Sequence, residues 1–139
     1  MTAPAERDEL LSLAKRSLLR LNDRREAYPF LAAYDMRVQF DVTDGEPFHA
    51  VLAGGRVEAV RAGRIENFSN RDDFELFGKE NGFRLVFEGR ITPAAAMYYG
   101  RVTPRGERAK HNQAAVVYTL LHIAQKPEYL VADPGDVVG

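Results

Sequence analysis

The sequence predicts an α+β fold, in which an antiparallel meander of strands is preceded and followed by helices. Three observations support this fold class. Apolar and polar residues alternate with a period of two from Met36, which is typical of strands with one buried face. An amphipathic helical pattern precedes these strands. After the strands the chain changes to short apolar segments separated by glycine, which we interpret as helices.

Composition predicts a single domain over residues 1–139. The net charge of −1 argues against binding of nucleic acid through the whole surface. The absence of cysteine excludes disulfides, thiolate zinc sites and cysteine nucleophiles. No apolar run approaches the ~20 residues that span a bilayer, and the polar start of the chain does not resemble a signal peptide. We therefore expect a cytoplasmic protein.

The N-terminal segment, residues 5–34, is predicted to be helical. Leu10, Ala14 and Leu18 recur on one face of a helix over residues 5–26, and Pro29 separates a short second turn from it. We expect the apolar face to pack on its own domain. A dimer contact and a membrane-surface helix are the alternatives, although acidic residues among the arginines weaken attraction to anionic lipid. A homodimer and at most a transient membrane contact thus remain open.

The strands follow, in a predicted meander. The alternation over residues 36–43 is regular, and strands over 48–53 and 56–62 return after turns that contain Gly45 and Gly54. A fourth strand is predicted over 64–68. From Ser69 the pattern changes to a helix that ends at Gly78 and Gly82 and places Phe74 and Phe77 on one side, and a second short helix covers 83–88.

The stretch from Arg90 to Gly106 is predicted to be a short helix that leads directly into an edge strand. Thr92 can cap the helix, Pro93 suits its first position, and Gly100 can end it. Residues 101–103 can continue as a strand, which Pro104 limits to an edge or an end. A last helix is predicted over 107–125, followed by a tail over 126–139.

Motifs for catalysis or metal binding are absent from the sequence. His49 lies on a strand, and His111 and His122 are about 16 Å apart on one helix, too far to share a metal. Neither a phosphate-binding glycine loop nor a Gly-x-Ser-x-Gly elbow is present. We expect no metal, no cofactor and no catalytic residue, although an enzyme built from Tyr98, Tyr99, His122 and a carboxylate remains an alternative.

Aromatic and basic residues are concentrated in the second half of the chain. Apolar rings and Met97 crowd into three predicted short helices, which suits an adjustable apolar pocket. Four cations cluster nearby and can be either a solvated face or the mouth of a site for an anionic group. These cations are Arg101, Arg105, Arg108 and Lys110.

Between Asp35 and Gln125 the chain resembles the sterol carrier protein 2 (SCP2) family. The resemblance is carried by the order of the predicted elements and by the stretch that starts at Thr92. In the family a short helix after a proline ends at glycine, a basic residue opens the next strand, and a glycine precedes the last helix. Residues that match these places are Pro93, Gly100, Arg101 and Gly106.

The resemblance implies an α+β carrier fold, a five-stranded and mainly antiparallel sheet with helices covering one face, without a shared catalytic set. An apolar tunnel between sheet and helices would hold a fatty acid, an acyl-CoA or a sterol-like molecule. By position, the implied ligand-binding residues are Phe74, Phe77, Phe87, Met97, Tyr98, Val102, Val117 and Leu121. Arg101 and Arg105 would bind the headgroup. We therefore expect a non-catalytic lipid carrier, with a small enzyme acting on a hydrophobic substrate or a dimerising interaction module as alternatives.

Overall fold

The computed structural model describes residues 9–23, 35–54, 56–69, 72–105, 117 and 121. In chain order, its elements are helix α1 (Leu10–Leu19), a 3-10 helix (Arg20–Asp23), strands β1 (Met36–Val42), β2 (Phe48–Ala53), β3 (Arg56–Ala62) and β4 (Asp73–Gly78), helices α2 (Glu80–Phe87) and α3 (Pro93–Tyr98), and strand β5 (Val102–Arg105). No helix within these ranges is long and apolar enough to cross a membrane.

The five strands form one sheet in the order β3-β2-β1-β4-β5. The β1–β2, β2–β3 and β4–β5 pairs are antiparallel, and β4 runs parallel to β1. The prediction of an α+β fold with a mainly antiparallel five-stranded sheet is therefore confirmed. Because β3 and β4 lie on opposite sides of the β1–β2 hairpin, the chain between them must cross over the sheet.

The segment after β3 differs from the prediction. Residues 64–69 contain no strand, and β4 occupies much of the segment predicted as a helix from Ser69 to Gly78. Side chains alternate along a strand, so Phe74 and Phe77 lie on opposite faces rather than on one side of a helix. The prediction was wrong because β4, an interior strand that is largely buried on both faces, alternates polar and apolar residues over its first four positions only.

Other boundaries move by a few residues. The helix predicted over 83–88 begins at Glu80, and the strand predicted over 101–103 continues through Pro104 to Arg105. Proline is tolerated there because β5 is an edge strand. Of the predicted last helix, Val117 and Leu121 are described, helical and buried. Residues 5–8 and 24–34, the rest of the last helix with His111 and His122, and the tail lie outside the described residues.

Aromatic rings fill the apolar face of the sheet. Phe40 stacks on Phe48 with ring centroids 4.7 Å apart, and Phe83 and Phe87 of α2 approach Phe40 at 5.8 and 5.7 Å in edge-to-face contacts. The buried leucines of α1 join this core, and Ser17 Oγ donates a hydrogen bond to the Phe87 carbonyl (2.9 Å). The expectation that α1 packs on its own chain is thus confirmed for the described part of the helix.

The opposite face of the sheet is polar and nevertheless largely buried. Arg37 donates two hydrogen bonds to Asp73 (2.8 and 2.7 Å), and Gln39 donates one to Glu75 (3.1 Å). The backbone N–H of Ile65 donates to Gln39 Oε1 (2.7 Å), so the chain that follows β3 lies over this face. The hydrogen bond to Asp73, together with the charge of that carboxylate, raises the pKa of Arg37.

Asp41 ties three parts of the chain together on this polar face. One carboxylate oxygen accepts from Arg64 of the crossover (2.8 Å), and the other is 3.4 Å from Arg105 of β5. Close by, His49 Nδ1 lies 2.8 Å from the Gly63 carbonyl oxygen and can donate to it. These contacts use side chains from distant positions in sequence, and each holds either the crossover or the edge strand in register.

Candidate functional site

A pocket of about 810 Å³ lies at the β4–β5 side of the sheet. Its walls come from the ends of β1 and β4, the first turns of α2, and the turn between α3 and β5. The lining residues are Thr43, Phe77, Gly78, Lys79, Asn81, Gly82, Leu85, Ile91, Tyr99, Gly100, Arg101 and Thr103. This volume falls within the range of about 300–1,000 Å³ that is usual for small-molecule sites.

Two glycines allow the α3–β5 turn to lie directly against β4 and α2. A Cβ added at Gly78 would stand 2.4 Å from the carbonyl oxygen of Arg101, and one added at Gly82 would stand 2.5 Å from the same atom. Real Cβ atoms do not approach a backbone oxygen so closely, so any larger residue would force the turn outward. The two glycines therefore set the position of Arg101 in the pocket wall.

The α3–β5 unit has the local structure that the sequence predicts. Thr92 caps α3 by accepting a hydrogen bond from the Ala95 N–H (3.1 Å), and Pro93 occupies the first turn. Gly100 ends the helix with φ at +72°, a left-handed conformation that favours glycine. The Arg101 N–H then donates to the Ala96 carbonyl (2.7 Å), which fixes the turn onto the end of the helix.

An apolar wall forms part of the pocket, from Phe77, Leu85, Ile91 and the ring of Tyr99. The guanidinium of Arg105 lies over the Phe77 ring, 4.2 Å from its centroid. The same guanidinium lies 3.4 Å from Asp41 and 3.5 Å from Glu75. Arg105 thus has two carboxylate partners and contacts a ring of the pocket wall, and that it binds a headgroup remains a prediction.

Two cations line the pocket beside this wall. Lys79 precedes α2 and Arg101 precedes β5, and both are exposed. Within the described ranges, neither forms an ion pair. The nearest acid in sequence, Glu80, pairs with Arg84 at 2.9 Å. Arg101 is a predicted headgroup residue, whereas Lys79 was missed because the prediction of a helix up to Gly78 and Gly82 obscured the end of β4.

The structure divides the predicted ligand-binding residues into separate groups. Phe77 lines the pocket, as does the predicted headgroup residue Arg101. Met97 is half-buried against the core, and Tyr98 is 83% exposed. The others are buried in the apolar core rather than in the pocket wall. These are Phe74, Phe87, Val102, Val117 and Leu121. That they contact a ligand remains a prediction.

The described lining of the pocket combines apolar side chains with two cations and a few uncharged polar groups. Among the described residues, no group of three or more His, Asp or Glu side chains is arranged to hold a metal ion. His49 is buried on the polar face and does not line the pocket. An apolar wall beside two exposed cations suits a molecule with an apolar body and an anionic end.

Comparison of the sequence finds no family model and no curated protein that matches the chain. Comparison of structures does find relatives in fold. A crystal structure of sterol carrier protein 2 superposes with a TM-score of 0.60 at 20% identity, covering 84% of this chain and 97% of the other. Identity at this level shows a shared fold and no more than that.

Two solution structures agree with this result. A conserved hypothetical protein from Thermus thermophilus, described as possibly a sterol carrier protein, has a TM-score of 0.56 at 17% identity over 84% of this chain and 89% of its own. Palmitated SCP2L2 from Aedes aegypti has a TM-score of 0.50 at 16% identity over 77% and 93%. The fold implied by the resemblance to the SCP2 family is therefore confirmed.

Proposed function

We propose that this chain is a carrier that binds one hydrophobic small molecule with an anionic end, such as a fatty acid, in the pocket between β4, α2 and the α3–β5 turn. The observation that carries the proposal is that one pocket combines an apolar wall with two cations that form no ion pair among the residues the structure describes. The fold supports it, because structures of sterol carrier protein 2 share that fold and the similar Aedes aegypti protein was solved in a palmitated state.

The apolar wall supplies the binding free energy in this proposal. Each CH₂ group transferred from water to an apolar surface contributes about 0.8 kcal/mol, so an alkyl chain gains affinity without a close fit. Phe77 is held by Arg105 from the side of the sheet, while Leu85 and Ile91 approach from the helical side. A wall supported from two sides is stable enough to receive different chains of similar width.

The two cations select the end group. A carboxylate or phosphate near Lys79 and Arg101 would gain charge-assisted hydrogen bonds that these side chains lack within the described protein. Because both side chains are exposed, each contributes up to about 1 kcal/mol, which favours an anionic ligand without making it obligatory. A fatty acid therefore suits the pocket better than a sterol, because a sterol carries no charge.

Binding of a fluorescent fatty acid tests this proposal. We expect Leu85→Arg to abolish uptake, because a charge would lie in the apolar wall, and Leu19→Arg on α1 to leave uptake unchanged. Lys79→Gln combined with Arg101→Gln should weaken binding of the acid about tenfold and leave binding of its methyl ester unaffected. Native mass spectrometry of the purified protein would identify the ligand that accompanies it.

One comparison separates this pocket from the tunnel implied by the family resemblance. Met97 faces the core and does not line the pocket. If Met97→Arg abolished uptake while a folded Leu85→Arg protein bound normally, the ligand would lie between the sheet and the helices and the pocket proposed here would be wrong.

A further inference from the structure

Two tyrosine rings project from the end of α3 into solvent. Tyr98 is 83% exposed and Tyr99 is 69% exposed, and the rings meet edge to face with centroids 5.0 Å apart. Of the large apolar side chains that the structure describes, one other, Leu19, is exposed, at 37%. A paired aromatic surface of this kind leaves a large apolar area in water and commonly marks an interaction site.

Two cations line the same pocket as one ring of this aromatic pair. The Tyr99 ring and the side chain of Arg101 line the same pocket, and Lys79 lines it too. We call these residues, together with Tyr98, the tyrosine–cation patch. Neither cation has an ion-pair partner in the described part of the chain, and Glu80, which follows Lys79 in sequence, is paired with Arg84. The patch therefore complements a surface that is both apolar and anionic.

A lipid bilayer with anionic headgroups has that combination. Tyrosine prefers the boundary between headgroups and acyl chains, and long cationic side chains reach toward phosphates while their stems remain in contact with apolar groups. Helix α1 is a less suitable candidate for the same role, because Leu10, Leu13 and Leu18 are buried in the core and are not available to lipid.

We infer that the tyrosine–cation patch docks this protein on an anionic lipid bilayer, with the pocket opening facing the membrane. The inference rests on the proposed function, since docking at this position would let a lipid pass between bilayer and pocket without crossing water. Lys79 and Arg101 would then contact bilayer phosphates before a ligand enters the pocket.

A single tryptophan provides a test that is specific to the position, because the chain contains none. We expect a Tyr98→Trp variant to shift its emission to the blue and to be quenched by brominated lipid when vesicles of phosphatidylcholine and phosphatidylglycerol are added. A Leu19→Trp variant on α1 is the matched control and should show neither change. Equal quenching at both positions, or none at Tyr98→Trp, would overturn the docking orientation.

Vesicle flotation tests the role of charge. Each cation near an anionic surface contributes a factor of about five, so Lys79→Gln with Arg101→Gln should lower binding to these vesicles about 30-fold. The control pair Lys15→Gln and Arg61→Gln removes the same charge from exposed sites elsewhere and should change binding little. Binding to pure phosphatidylcholine should be weak, and added salt should weaken binding to the anionic vesicles.

Other outcomes identify other occupants of the patch. Equal binding to neutral and anionic vesicles would contradict the inference, as would a dimer in light scattering that Tyr98→Ser dissociates. Fatty-acid uptake measured without vesicles reports on the proposed function alone, and vesicle binding measured without fatty acid reports on docking alone. A protein that takes up fatty acid but does not bind anionic vesicles would therefore refute docking and leave the carrier proposal intact.

Discussion

The two faces of the sheet are both buried, but by different interactions. On one face, Phe40 and Phe48 stack under the rings of α2, and the contacts depend on shape rather than direction. On the other face, charged and amide side chains pair with one another beneath the chain that leaves β3. The apolar face supplies most of the stability, because hydrophobic burial is the dominant favourable contribution to folding.

The polar face instead specifies how the chain is connected. Every hydrogen bond there has a required direction, so Asp41 and Asp73 accept only when the crossover and the neighbouring strand are in register. Burying these groups costs free energy that their partners largely restore. β5 takes part in both faces, since Val102 is in the core while Arg105 reaches the polar face. The pocket lies beside this strand.

The largest expected effect contrasts two phenylalanines of one strand. Phe74→Ala should lower the free energy of unfolding by about 3–5 kcal/mol, because the ring is 1% exposed in the core. Phe77→Ala should cost about 1–2 kcal/mol, because its ring is half-buried and stabilised by one contact with Arg105. Urea denaturation measures both.

The same two variants separate the role of Phe77 in the pocket from the role of Phe74 in the core. Phe77→Ala should weaken fatty-acid uptake, since the ring is part of the pocket wall, while a sufficiently folded Phe74→Ala protein should retain it. Equal losses of stability for the two variants would mean that the two faces of β4 are alike and would contradict the comparison.

This pair also shows how much of the fold could be predicted. The first three strands alternate apolar and polar residues, and turn residues such as Gly45 and Gly54 separate them, so local pattern identified them. β4 alternates only from Asp73 to Leu76, and the partners on β1 that bury Asp73 and Glu75 cannot be identified from local sequence. Without that information, two phenylalanines three residues apart favoured a helix.

The candidate site divides in the same way. Thr92, Pro93 and Gly100 act through neighbouring backbone, and so the α3–β5 unit was predictable. The position of Lys79 in the pocket depends on where β4 ends and α2 begins, and the structure was needed to find that boundary. If Asp73–Gly78 had been recognised as a strand that leads into a helix, the sequence would have indicated Lys79 as a residue at their junction.

A second prediction concerns the buried ion pair of the polar face. Asp73→Asn should lower the free energy of unfolding by about 2 kcal/mol, because Arg37 and the Ser69 N–H lose a charged acceptor. The cost is smaller than for a fully buried pair because the Arg37 side chain is 38% exposed. Asp72→Asn, on the exposed neighbour, is the matched control and should change stability by less than about 0.5 kcal/mol.

The pH dependence of this effect follows from the pKa of Arg37. Folding raises that pKa, so the arginine contributes stability at every pH below its unfolded pKa and loses it only as the pH rises through the higher folded value. Both values lie far above neutrality. The difference between wild type and Asp73→Asn should therefore be constant between about pH 6 and pH 9, and a slope in that window would point to another titrating group.

The smallest effect is expected where β5 meets α2. Alanine ordinarily stabilises a helix by about 1 kcal/mol over glycine, yet a Cβ at Gly82 would stand 2.5 Å from the Arg101 carbonyl oxygen. We expect the clash to outweigh this gain, so Gly82→Ala should lose about 1 kcal/mol on balance. It should also weaken fatty-acid uptake, because the turn that carries Arg101 and Tyr99 must move. Asn81→Ala, at the exposed neighbouring position of α2, should be neutral or slightly stabilising. If Gly82→Ala were more stable than wild type and bound ligand normally, the close approach of the two backbones would not determine the shape of the pocket.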